Sequence, residues 1–138
     1  MSNRDHLHED TLKIKEYCSR ILSVSSKIRY AAVMNEFGRT IAGKLRKDVV
    51  PLFTPAEARN ENYIEATRTC LRRNFDKSIG KTNFTFTDNE KVKILVIPSE
   101  TNFCYVTLDK DTKIIEVEPI VEAIRRFILS NKIDHQLT

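Results

Sequence analysis

Glycine is scarce in this chain of 138 residues, with only Gly38, Gly43 and Gly80. None stands in a G-x-x-x-x-G-K-S/T arrangement, so there is no backbone cradle for nucleotide phosphates, and GTP hydrolysis by the chain itself is not expected. Cysteine is equally sparse: Cys18, Cys70 and Cys104 are an odd number, far apart, without a C-x-x-C pair. That spacing excludes a disulfide framework and a zinc site. Each cysteine lies in an apolar or mixed segment and is expected to act as a small buried hydrophobe. No G-x-S-x-G nucleophile turn occurs. The three histidines, His6, His8 and His135, lie near the ends, away from any cysteine that could pair with one in the core. No apolar run approaches the roughly 18–20 residues that span a bilayer. The opening Met1-Ser2-Asn3-Arg4-Asp5-His6 is too polar for a secretory signal, so a cytosolic location is expected.

What is present suits one globular domain, a size class of roughly 100–150 residues. Hydrophobic residues make up 41% and charged residues 30%, which excludes both a disordered and a membrane-embedded chain. The net charge of +4 permits an acidic partner but does not demand nucleic acid.

Residues 1–8 carry no hydrophobic periodicity and read as a frayed tail, as do 132–138, leaving a single domain over 9–131. Between Glu9 and Ser26, Ile14, Tyr17, Cys18, Ile21 and Leu22 recur at helical spacing. Ser23, Ser25 and Ser26 then compete for backbone hydrogen bonds and end the helix. From Ile28 the period falls to two, with Ile28, Tyr30, Ala32 and Met34 on one face. Asn35-Glu36-Phe37-Gly38 is turn chemistry, and Arg39 to Arg46 completes a β-hairpin. Thr54, Pro55 and Glu57 predict a capped helix start, and Gly80 its end near Ile79. The apolar stripe of this helix, Tyr63, Ile64, Ala66, Cys70, Leu71, Phe75 and Ile79, is too broad for one contact. Strands follow at 83–87, 91–97 and 103–108, and Lys113 to Val117 reads as a short strand or a loop because of Pro119. A final amphipathic helix begins at Pro119. The order helix, two strands, helix, three strands, helix implies an α+β fold, α-β-β-α-β-β-β-α, with a five-stranded antiparallel sheet flanked by helices.

That order, and above all the stretch from Ile28 to Gly43, resembles roadblock/LC7 domains, which belong with the longin and profilin-like folds. The stretch pairs a small-residue strand with a glycine-ended turn. Ala31, Ala32, Ala42 and Gly43 are small, as expected where a helix lies close to a sheet. The chain also looks like a group of small archaeal proteins carrying the same hairpin and a long middle helix. The resemblance implies a non-enzymatic module that pairs through the middle helix, here 56–79, and an edge strand, here 83–87. It implies docking of a small GTPase or an adaptor role. The dimer residues expected on this basis are Tyr63, Leu71, Phe75, Phe84 and Phe86.

Arg68, Arg72, Arg73, Lys77 and Lys81 cluster around the end of the middle helix against only Asp76. The helix dipole alone favours cations there. The sharper reading is a partner-facing basic patch of Arg68, Arg72, Arg73 and Lys77 for an acidic protein surface, a nucleotide or a lipid headgroup. Nucleic acid is disfavoured because stacking aromatics do not interleave with the run. A second basic run, Arg39, Lys44, Arg46 and Lys47, accompanies the hairpin. His6-x-His8 lacks the ligand set of a structural metal site, and Asp109-x-Asp111 is a turn rather than a calcium loop. The sequon Asn83-Phe84-Thr85 has no meaning in the cytosol. No catalytic residue, cofactor or metal is expected. The competing reading is a monomeric profilin- or PAS-like sensor with a ligand cavity near Ala31, Ala42 and Gly43. A further expectation, if the chain is monomeric, is that loop 47–55 covers the outer side of the middle helix.

Overall fold

A computed structural model describes the backbone of residues 3–131 and the side chains of 11–127. Residues 1–2 and 132–138, parts of the two expected tails, lie outside the described residues. Helix α1 spans Asn3–Val24. Its backbone is helical well before the apolar periodicity begins, because a nucleated helix propagates at little cost per residue. It stops at Val24, where the Lys27 N–H donates to Ser25 Oγ at 3.1 Å.

Strands β1 (Ile28–Asn35) and β2 (Thr40–Leu45) form the expected hairpin. Asn35 organises its turn, the side-chain oxygen accepting from the N–H groups of Phe37 at 2.9 Å and Arg39 at 3.0 Å. Gly38 closes it at φ +83°, a region that L side chains avoid. Helix α2 (Pro55–Arg72) starts at a complete capping box, Thr54 and Glu57 each bonding the other's backbone N–H. A single 3-10 turn, Arg73–Phe75, and the short helix α3 (Asp76–Ile79) carry it to Gly80, at φ +85°. Strands β3 (Thr85–Asp88), β4 (Val92–Pro98) and β5 (Asn102–Asp109) precede helix α4 (Ile114–Asn131).

The five strands form one antiparallel sheet in the order β2-β1-β5-β4-β3. The last strand in sequence is thus the central one, and it is buried from Asn102 to Leu108. One departure from sequence expectation concerns 113–117, which begins α4 instead of forming a strand or loop. Glu116 accepts from the Lys113 N–H at 3.3 Å, capping the start. Pro119 then removes one helical bond, to the carbonyl of exposed Ile115, close to an end where four N–H groups lack helical partners anyway.

The sheet separates two cores. On one face Ala31, Val33, Ala42, Leu95, Cys104 and Val106 meet Ile14, Cys18 and Ile21 of α1 and Val117, Val121 and Ile124 of α4. The other face carries Ala32, Met34, Val92, Ile94, Val96, Phe103 and Tyr105, and from α2 only Ala66 joins them. The small residues of the hairpin therefore split. Ala31 and Ala42 admit α1, whose Cys18 thiol donates to the Ala42 carbonyl at 3.7 Å, whereas Ala32 faces α2. Gly43 makes room for the Tyr30 ring, whose hydroxyl lies 2.3 Å from where a Cβ would stand, and not for a helix.

Candidate functional site

Helix α2 lies on its sheet face by a polar seam. Glu61, Asn62, Glu65, Ala66 and Thr69 point inward, and only Glu65 and Ala66 are fully buried. The large apolar residues of the helix point out: Tyr63 is 68% exposed, Ile64 50% and Leu71 59%. Phe75 and Ile79 beyond it are exposed at 48% and 72%. Cys70 is exposed on the same stretch, unlike Cys18 and Cys104, so the expectation of burial fails for this cysteine. Burial pushes the Cys18 thiol up to about 11 and raises that of Cys104 further. Both stay protonated at neutral pH.

The loop before α2 does not cover this outer stripe, since Val50 is 73% exposed and Leu52 50%. At the sheet's edge β3 pairs with β4, and among the described residues no strand pairs with its other side. Of the residues expected at a dimer contact, Tyr63, Leu71 and Phe75 thus lie along the outer side of α2 and its extension. Phe84 and Phe86 pack on the opposite sheet face, against the core beneath α1 and α4. The two groups lie on opposite faces of the sheet.

The polar seam is electrostatically loaded. Tyr105 donates to Glu61 Oε2 at 2.9 Å, and burial together with the Glu61 charge raises its phenol. Glu65 Oε2 is buried without a hydrogen-bond partner, while Oε1 lies 3.6 Å from Arg68 Nη1. Burial raises the Glu65 carboxyl above its ordinary value; Arg68 opposes this and Glu61 adds to it. At the hairpin end the seam is tight. Asn62 donates to Thr40 at 3.2 Å, and its carbonyl sits 2.9 Å from where a Gly38 Cβ would stand.

Two openings flank α2. Near its start, a cavity of about 300 Å³ lies between the helix, loop 46–54 and the sheet, walled by Tyr30, Pro51, Phe53 and Tyr105. It is not where small hairpin residues suggested a ligand space, because Ala31 and Ala42 are buried against α1. Near its other end, a cleft of about 500 Å³ runs between α2, loop 80–84, the β4–β5 turn and α4. Arg68, Arg72, Arg73, Lys81 and Arg125 line it, with Asp76 and Glu100 as its carboxylates. Three of the four expected patch residues meet there, and Lys77 points elsewhere. Arg125 joins from α4. Nothing in the sequence signals that loop 80–84 passes it. Among the described residues no three His, Cys, Asp or Glu side chains gather as metal ligands. The side chains of His6, His8 and His135 lie outside them.

No family model matches the chain, and no curated protein matches it. Solved structures do. A structure described as MglB with tetrameric arrangement superposes at a TM-score of 0.65 with 15% identity, over 85% of this chain and 88% of that one. The fold is that of roadblock/LC7 domains. A roadblock/LC7 domain from Streptomyces avermitilis matches at a TM-score of 0.57 with 10% identity, over 83% and 97% of the two chains. Profilin from Schizosaccharomyces pombe matches at 0.58 with 14% identity, over 85% and 97%. The roadblock-like sheet, with one helix on one face and two on the other, thus accounts for nearly all of the described chain. Among the described residues, no helix is long and apolar enough to cross a membrane.

Proposed function

We propose that the chain is a non-enzymatic, homodimeric roadblock-like module that acts as a scaffold or as a regulator of a small GTPase. The observation that carries this reading is the outward apolar stripe of α2, Tyr63, Ile64 and Leu71 continued by Phe75, whose far end approaches the edge strand β3. Contiguous exposed apolar area of this kind marks an interaction surface. A two-fold contact is the commonest way to close one. In the proposed dimer the stripes of two copies pack together, and Phe84 and Phe86 extend the opposite face across paired β3 edges. Lys77, outside the cleft lined by Arg68, Arg72 and Arg73, is then left to face an acidic partner.

Light scattering on a sizing column, over a hundredfold concentration range, tests the pairing. The expected mass is near twice 16.0 kDa. Leu71→Asp is expected to give the monomer mass with unchanged helix content, since a carboxylate in a dry contact costs several kcal/mol. Continued dimerisation of that variant rejects this interface.

The cavity beside Tyr30 and Tyr105 favours a second reading, a monomeric profilin- or PAS-like sensor of a small apolar ligand. A ligand at a hundredfold excess over its Kd is expected to raise unfolding stability by about 3 kcal/mol. A steady monomer mass with such stabilisation selects this reading over the dimer.

A further inference from the structure

The cleft at the far end of α2 gathers five cationic side chains from separate parts of the chain. Arg68, Arg72 and Arg73 come from α2 and its extension, Lys81 from the following loop, and Arg125 from α4. Asp76 and Glu100 share the walls and Glu65 lies 3.6 Å from Arg68, so five cations meet three carboxylates and the cleft stays cationic on balance. Several guanidinium groups are held by neutral partners. Arg73 donates to the Ser99 carbonyl at 3.1 Å, Arg125 donates to the Asn83 carbonyl, and Arg72 stacks 5.0 Å from the centre of the Phe75 ring. A carbonyl or a ring restrains an arginine without cancelling its charge. Each guanidinium has five N–H donors, and one such bond leaves most of them available. The helix dipole explains cations beside the end of α2, but not Arg125, which belongs to the other face of the sheet.

We propose that this cleft binds a soluble ligand carrying two or more phosphoryl groups. Guanidinium forks match phosphate oxygens bidentately, and arginines fixed in advance lose little freedom on binding. Thr82, Thr85 and Ser99 on the same walls add hydroxyl donors. A volume of about 500 Å³ falls within the range of small-molecule sites and exceeds what a single orthophosphate fills. Concavity favours such a ligand over the flat face of a protein. Among the described residues no aromatic ring lines the cleft, so it reads phosphates and not a base. One copy of the chain holds every residue named.

Isothermal titration with inorganic pyrophosphate and with ATP, at low and at physiological salt, tests the site in the full chain. Both ligands are expected to bind comparably, and orthophosphate more weakly. The double variant Arg73→Ala, Arg125→Ala is expected to weaken binding by at least roughly tenfold, since a hydrogen bond to a charged group contributes at least that factor. Lys77→Ala removes one positive charge outside the cleft, where the double variant removes two within it, and is expected to leave affinity unchanged. Should the alanine variant unfold, Arg73→Lys with Arg125→Lys keeps the charge, loses the fork and is expected to bind more weakly than wild type. Absence of pyrophosphate and ATP binding at millimolar concentration overturns the proposal. So does equal weakening by Lys77→Ala, which would mean a diffuse field. Binding to vesicles of anionic phospholipid without binding to free pyrophosphate assigns the cleft to a membrane surface and also overturns it. Light scattering on the same variants reports the dimer separately, so the two readings fail independently.

Discussion

Replacing Glu65 with methionine should stabilise the protein, and more so at high pH. The Glu65 side chain is 3% exposed, its Oε2 has no hydrogen-bond partner, and Arg68 lies 3.6 Å from the other oxygen, beyond good hydrogen-bond length. A buried polar atom left unpaired costs roughly 1–3 kcal/mol. The Arg68 side chain is 43% exposed, so the attraction lost on substitution is discounted for solvent to about 0–1 kcal/mol. Methionine is unbranched and similar in length, so it fills the space under α2 without strain. The net gain at pH 8 is therefore about 1–2 kcal/mol, or a Tm rise of roughly 3–8 °C for a domain of this size. Because burial raises the folded-state value above the unfolded one, the native state keeps the proton longer as pH rises. The stability contributed by protonated Glu65 is complete below the ordinary carboxylate range and is lost as pH climbs through the raised folded value. The advantage of Glu65→Met should accordingly shrink towards pH 4.5. Calorimetric melts of both proteins at pH 4.5 and pH 8 measure the difference. A lower Tm for the variant at pH 8, or an equal gain at both pH values, refutes the account of the seam.

Two further substitutions probe how α2 and α1 are held. Gly38→Ala meets both a positive φ and the backbone carbonyl of Asn62 2.9 Å away. Gly38→Ala is expected to cost about 1–3 kcal/mol in urea unfolding, and a loss under about 0.5 kcal/mol would show that hairpin and helix do not touch tightly. Arg46 donates to the carbonyls of Ile28, Leu22 and Ser25, the last at 2.8 Å, and so ties the end of α1 to β1. Arg46→Met should cost roughly 2–4 kcal/mol, and a loss under about 0.5 kcal/mol would mean that water serves those carbonyls equally well.

Much of the architecture was legible because its signals are local. The shift of period at Ile28, the Asn35-to-Gly38 turn, the Thr54–Glu57 capping box and Gly80 act within a few residues, and each marks an element where the structure has it. The start of α4 was not, because the rule that proline breaks helices applies to their interiors, and Pro119 lies near the beginning of this one. The clustering of Arg68, Arg72 and Arg73 was visible as charge, yet their enclosure with Arg125 depends on where loop 80–84 runs.

By itself the sequence determined the elements, their order and the amphipathicity of α1 and α4, since these follow from backbone preference and periodicity along one segment. It also showed that α2 has more apolar surface than a single contact uses. Only the tertiary structure decided which side of α2 turns inward. Ala66 and two carboxylates meet the sheet, and Tyr63, Ile64 and Leu71 do not. Likewise, that β5 lies between β1 and β4 comes from pairings distant in sequence, which no local period encodes. The physical reason is the same in both cases: a helix with apolar residues on two sides satisfies the hydrophobic effect in either orientation, and strand order is settled by the packing of the whole sheet between its helices.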